Sequence, residues 1–210
     1  MKLSRLKKLS WKLLTVYATL IVLITFADKS PHKWKFWNFW VGVALLAFSL
    51  WIRLWASGHL VKNKVLTFTG PYAYVKNPLY IGTFFGMIGL AFLAMGPRDP
   101  GLVWWQRHLN WILLGAGLLA FVFRYVPYKK KRESERLHDI FGEAWDHYEK
   151  AVPDYFPSSK RYERATVRPW SWAATCDNSE HWAPLAYAAG IAAVLWNGVL
   201  LGWVEKLLSK

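Results

Sequence analysis

The sequence predicts an all-α fold, a polytopic membrane helix bundle of about five transmembrane helices with a cytoplasmic amphipathic helix. Three observations predict it. Of 210 residues, 54% are hydrophobic and only 19% charged, too apolar for an ordinary soluble domain. The apolar residues fall into long blocks, and fifteen Trp raise the aromatic fraction to 18%, as expected where many rings sit at membrane boundaries. The 27 Lys and Arg gather in alternate connections between those blocks. A net charge of +14 on one soluble face would suggest nucleic acid. The alternation instead matches the positive-inside bias, so the expected partner is the lipid bilayer, with no nucleic acid. A single cysteine, Cys176, cannot form an internal disulfide, and no Cys/His pairs stand at zinc spacing. No metal site is expected.

The five blocks are residues 11–27, 36–56, 79–95, 109–126 and 182–203. Each is near the roughly 20 residues needed to cross about 30 Å of hydrocarbon, and backbone in lipid must satisfy itself as a helix. Alternate connections carry 20 and 7 basic residues. The N-terminus is therefore expected in the cytoplasm and the C-terminus outside, in a multi-pass protein of a bacterial inner membrane. The first block reads as a span and not as a secretory signal, because its apolar run is long and Thr25, Phe26, Ala27 and Asp28 make no small-x-small cleavage site. Gly82 and Gly86 form a GxxxG on the third span and Gly115 and Gly117 thin the fourth, a pattern for close helix packing. Arg53 lies near the end of the second span. It is expected to snorkel to the cytoplasmic surface, or failing that to meet an acidic partner or a ligand.

Gly70-Pro71 and Asn77-Pro78 punctuate the first cytoplasmic loop and make it a shaped segment that delivers Tyr72, Asn77 and Tyr80 to the mouth of the third helix. Alone, Asn77-Pro78 is a helix start. The second loop opens with Lys129, Lys130, Lys131 and Arg132, cations that suit anionic lipid. Leu137, Ile140, Phe141, Ala144, Trp145 and Tyr148 then recur at three and four, an amphipathic helix expected to lie on the bundle or the bilayer. His138 and His147, nine apart, are poorly placed to share a metal. Glu133 either balances the cations beside it or grips a ligand's hydroxyls or ammonium.

In these two loops the sequence resembles the isoprenylcysteine carboxyl methyltransferase family and its wider relatives, the membrane phospholipid N-methyltransferases. Thr69-Gly70-Pro71-Tyr72, the run from Asn77 to Gly82, and the block from Glu133 through Phe141-Gly142 to Val152-Pro153 carry the likeness, over about half the chain. The resemblance implies a pocket for S-adenosylmethionine (SAM) enclosed by both loops. Lys64, Val65, Leu66, Thr67, Tyr72, Asn77, Pro78, Leu79 and Tyr80 would line it, with Lys62 less directly matched. Glu133 falls on the first member of the family's Glu-Glu pair and would contact the cofactor. Lys129 falls where the prenylcysteine enzymes carry a substrate-facing Arg. Ser134 replaces the second Glu, Asn77 a His and Lys76 an Arg, and Lys129 lacks the planar fork that holds a carboxylate by two bonds.

The expected organisation is two N-terminal helices over residues 1–56, a methyltransferase-like core over 57–157, and a linker with a last helix over 158–210. The expected activity is SAM-dependent methylation of a lipid-like or prenylated acceptor, with Lys129, Glu133 and Tyr80 as the catalytic candidates. A carboxylate acceptor needs no base; an amine would hand its proton to Glu133, Glu135 or Tyr80. Two rivals keep the bundle: an NADPH-dependent reductase like the sterol reductases, with Lys62, Lys64 and Lys76 on the phosphates, and a non-catalytic scaffold that binds anionic lipid.

Overall fold

The computed structural model of the chain describes residues 33–62, 64–95 and 108–197, with 199 and 206–207. The expected span at 11–27, most of the 97–108 connection and the far end of the fifth block lie outside the described residues. The regular secondary structure among them is all helical, with no strand. The helices are α1 (Trp37–His59), α2 (Pro78–Ala94), α3 (Leu109–Leu119), α4 (Val126–Phe141), α5 (Glu143–Ala151), α6 (Trp172–Asp177) and α7 (Ala183–Leu195).

α1 holds 23 residues at a mean hydropathy of 1.7, long and apolar enough to cross a membrane. At 1.5 Å per residue it spans roughly 34 Å. α2 is apolar but shorter, at 17 residues. It opens on Pro78 in its first turn, where the missing N–H would have had no helical partner. Many large apolar side chains point outward, among them Trp37, Trp40 and Trp51 on α1, Leu119 on α3 and Leu185 on α7.

α1 and α2 pack closely because glycines let their backbones meet: a Cβ on Gly42 would lie 2.8 Å from the Gly89 carbonyl oxygen. The GxxxG pair faces the same partner, with Gly82 against Arg53 and Gly86 against Ser49. Gly117 approaches Met87, whereas Gly115 borders open space. The Asn38 amide donates to the carbonyls of Phe92 and Met95 at 3.0 and 2.6 Å, which serves the otherwise orphaned end of α2. Phe39, Leu46, Leu93 and Val194 fuse α1, α2 and α7 into one core. Ser49 binds across it, donating to Gly82 O and sharing a hydrogen bond of 2.6 Å with the Tyr187 hydroxyl.

Arg53 does not simply snorkel. Its Nε and Nη2 grip both oxygens of Glu180 at 3.0 and 2.6 Å, and its Nη1 donates to Thr83. The acidic partner, which sequence reasoning ranked second, is the one found. Spacing gave no hint that Glu180, in a short turn ahead of α7, would come back to α1.

The fourth block also departs from expectation. α3 passes through a π-helical turn (Ala120–Tyr125) straight into α4, so no loop follows the block. Val126 N–H reaches the Phe121 carbonyl, and this widened turn stands just before Pro127, whose ring would otherwise clash with a carbonyl one turn back. The expected amphipathic helix is split at Gly142, whose φ of 53° and ψ of −133° suit only glycine. Leu137, Phe141, Trp145 and Tyr148 face inward, while Ile140 and Ala144 remain exposed.

Candidate functional site

A cavity of about 450 Å³ sits where α1 ends and α2 begins. Its walls are Leu60 to Lys62 and Val65 to Thr67, the segment from Tyr72 to Tyr80, and the inner faces of α4 and α5. Local chemistry shapes the first wall. Gly70 at φ 57° starts a tight turn through Pro71, and the His59 ring occupies the space a side chain there would need.

Hydrogen bonds stitch this wall to the segment after α5. Lys76 N–H donates to Pro153 O at 2.9 Å, and the Asn77 N–H and amide both reach Asp154 O. Ser158 N–H reaches Tyr74 O, and Tyr162 N–H reaches Ala73 O. The Tyr148 hydroxyl closes the seam by donating to Tyr72 O at 2.7 Å. Lys76 Nζ donates to Glu149 O at 2.7 Å and pairs with Asp154 at 3.0 Å. Beneath lies a second core of Trp145, Tyr148 and Val152 with Leu66, Phe68 and Tyr162 around it. Two stretches over fifty residues apart in the chain therefore share one concavity.

Of the residues named for the cofactor, Lys62, Val65, Leu66, Thr67, Tyr72, Asn77, Pro78, Leu79, Tyr80 and Glu133 all line this cavity. Lys64 does not; it lines a second cavity nearby. Lys129 lies on α4 one turn before Glu133, and its side chain is outside the described set. Arg136, Leu60 and Val61 also line the cavity and carried no signal in the sequence. Leu137, Phe141, Trp145 and Tyr148 were legible only as an apolar stripe. Ser134, in place of a second Glu, donates to Glu149 at 2.7 Å and accepts from the Trp145 indole. It braces the wall.

The electrostatics favour a protonated, hydrogen-bonding floor. Burial, then the neighbouring Tyr148, Glu133 and Glu180, push the Tyr72 hydroxyl far up. Burial and then Tyr162 do the same to Tyr148. Tyr155, whose ring centre lies 6.4 Å from that of Tyr80, is pushed up to about 12 by burial, Asp154 and Glu133. For Asp154 burial opposes the charge, but hydrogen bonds from Lys130 and Lys76 outweigh it and hold the carboxyl below its usual range. Glu133, about one-third exposed, is 3.7 Å from Arg136. Tyr80 also meets Phe121 of the π turn edge-on at 6.2 Å. The lining thus offers one carboxylate, cations at its rim, hydroxyls and an apolar wall, which suits a ligand with both polar and apolar parts. Among the described residues, no group of three His, Cys, Asp or Glu side chains is placed to hold a metal ion.

Fold and cavity define a helical protein with a membrane-length helix and a small-molecule-sized site at one end. No protein-family profile matches the chain, and no solved structure does. It is similar to a protein of Alcaligenes xylosoxydans xylosoxydans named nickel-cobalt-cadmium resistance protein NccN, with 30% identity over 159 residues. The match covers 70% of this chain and 62% of that relative, so the chain spans less than two thirds of the relative's length.

Proposed function

We propose that the protein is a polytopic membrane enzyme that methylates a membrane-embedded amphiphile, with S-adenosylmethionine as donor, at the cytoplasmic boundary. The observation that carries this reading is one cavity walled by the first loop and by the inner faces of α4 and α5, with Tyr80 and Glu133 on it. The outward Trp, Phe and Leu side chains of α1, α3 and α7 support several crossings, since a water-facing surface of that character is rare.

The residues present fit the cofactor. A volume of about 450 Å³ falls within the roughly 300–1,000 Å³ of small-molecule sites. Glu133 would hold hydroxyls or an ammonium, Thr67 and the protonated Tyr72 would supply neutral hydrogen bonds, and Leu66, Leu79, Leu137 and Phe141 would face the apolar portion. When bound, the cofactor supplies an electrophilic methyl group on a positively charged sulfur. The chain's part is to align an acceptor with that methyl and to keep water out, and positioning of this kind provides much of the acceleration. A carboxylate acceptor arrives without a proton to lose. For an amine acceptor, a Glu133 carboxylate oxygen takes the proton, because it is the carboxylate that lines the cavity.

Incubating purified protein with methyl-labelled SAM and extracted membrane lipids, then identifying any labelled product by mass, tests the reading. A labelled lipid or prenylated product is expected. Calorimetric titration with SAM and NADPH adds a second arm, and heat from NADPH alone would favour a reductase. The NccN similarity supports a second reading in which the modification contributes to metal tolerance. Cells lacking the gene would then grow less well in nickel, cobalt or cadmium, and unchanged growth would remove it.

A further inference from the structure

We propose that the second cavity holds the phosphate of an anionic lipid headgroup, a site separate from the methyl-transfer reading and independent of it. This cavity, of about 480 Å³, shares Leu60, Val61 and Lys62 with the first and is bounded by Lys64, Arg168 and Asp177. Three cations face one acid. Among the described residues none of Lys62, Lys64 and Arg168 has an ion-pair partner. Like charges held unpaired around a concavity repel one another and concentrate anions there, and an Arg fork flanked by lysines suits a group with several charged oxygens.

The aromatic surroundings say where that phosphate comes from. Trp51 and Trp55 stack at 5.3 Å on α1, and Trp51 is exposed. One turn on, the Trp170 ring lies over Gly58, where any side chain would collide with it, and its Nε1 donates to Leu54 O at 2.9 Å. Trp172, also exposed, stands 5.9 Å from Trp170. A row of indoles along the last turns of a membrane-length helix marks headgroup depth, and the cations begin where the row ends. Basic groups at that depth face lipid phosphates.

The test uses the full chain in an uncharged detergent, titrated with short-chain phosphatidylglycerol and followed by native mass spectrometry. Diacylglycerol of the same chains and inorganic phosphate run in parallel. One phosphatidylglycerol per protein is expected, and the Lys64→Ala/Arg168→Ala pair should weaken it about 25-fold, at about fivefold per charge. A control pair on exposed cations outside both the cavity and the basic run at the start of α4, Lys150→Ala/Lys160→Ala, should change it less than about twofold on the same scale. All four side chains are exposed, so unchanged melting midpoints confirm that each variant folds. Equal losses in both pairs would show diffuse attraction and overturn the proposal. So would equal binding of diacylglycerol, or binding of inorganic phosphate that phosphatidylglycerol does not displace.

Discussion

Glu133 stands at the point where the two walls of the cavity come closest in function, an acid with a single cation, Arg136, at 3.7 Å. So exposed and loose a pair contributes about 0–1 kcal/mol to stability, which frees its charge for a ligand. Glu133→Gln is therefore expected to leave the melting midpoint in place. It should weaken SAM binding by about tenfold or more, the loss of one charge-assisted hydrogen bond, read by calorimetry. Unchanged affinity would remove Glu133 from the site. Ser134, its neighbour, shows how a position can look functional and serve the frame: its hydroxyl ties Glu149 to the Trp145 indole.

At the scale of elements, the segment after α5 is what joins the first loop to α4 and α5 in one site. Asp154 anchors it, and the sign of its pH dependence follows from its environment. Its carboxyl titrates lower in the folded chain than in the unfolded one, so its contribution is present above about pH 4 and is lost as pH falls through the depressed value. Denaturant midpoints measured down the acid range should fall there, and Asp154→Asn should flatten that fall. His138 behaves with the opposite sign. The hydrogen bond to Asp146 and that residue's charge raise it, so its contribution is complete below about pH 6.5 and fades as pH rises through the raised value. Apolar spacing announced the helix that carries Trp145 and Tyr148, and Gly142 was visible as a residue. That it would divide the helix depended on where the wall had to turn.

For the whole molecule, the Arg53 and Glu180 pair fastens the last part of the chain to the first described helix. The two side chains are 23% and 13% exposed, so each charge needs the other. Arg53→Met alone is expected to cost about 3–5 kcal/mol, whereas Arg53→Met with Glu180→Leu should recover most of it, since a well-packed apolar pair often replaces a buried ion pair without loss. Thermal midpoints of the two singles and the double check this, and simple additivity would deny the coupling. The tail has a second hold. The Asn178 amide donates to the carbonyls of Ser57 and Leu60 at 3.0 and 2.9 Å, capping the end of α1 where the chain enters both cavities.

Composition and periodicity by themselves determined the helical character of the described residues and where three of their helices begin: expected starts at 36, 79 and 109 meet observed ones at Trp37, Pro78 and Leu109. Those signals are local, a run of apolar residues or a proline in a first turn, and need no partner to be read. Tertiary structure alone decided the partner of Arg53, 127 residues away, the approach of Arg136 to the cavity and the turning of Lys64 to a second one. Contacts at such separations leave no period in the sequence, because the side chains that meet are chosen by how the helices pack.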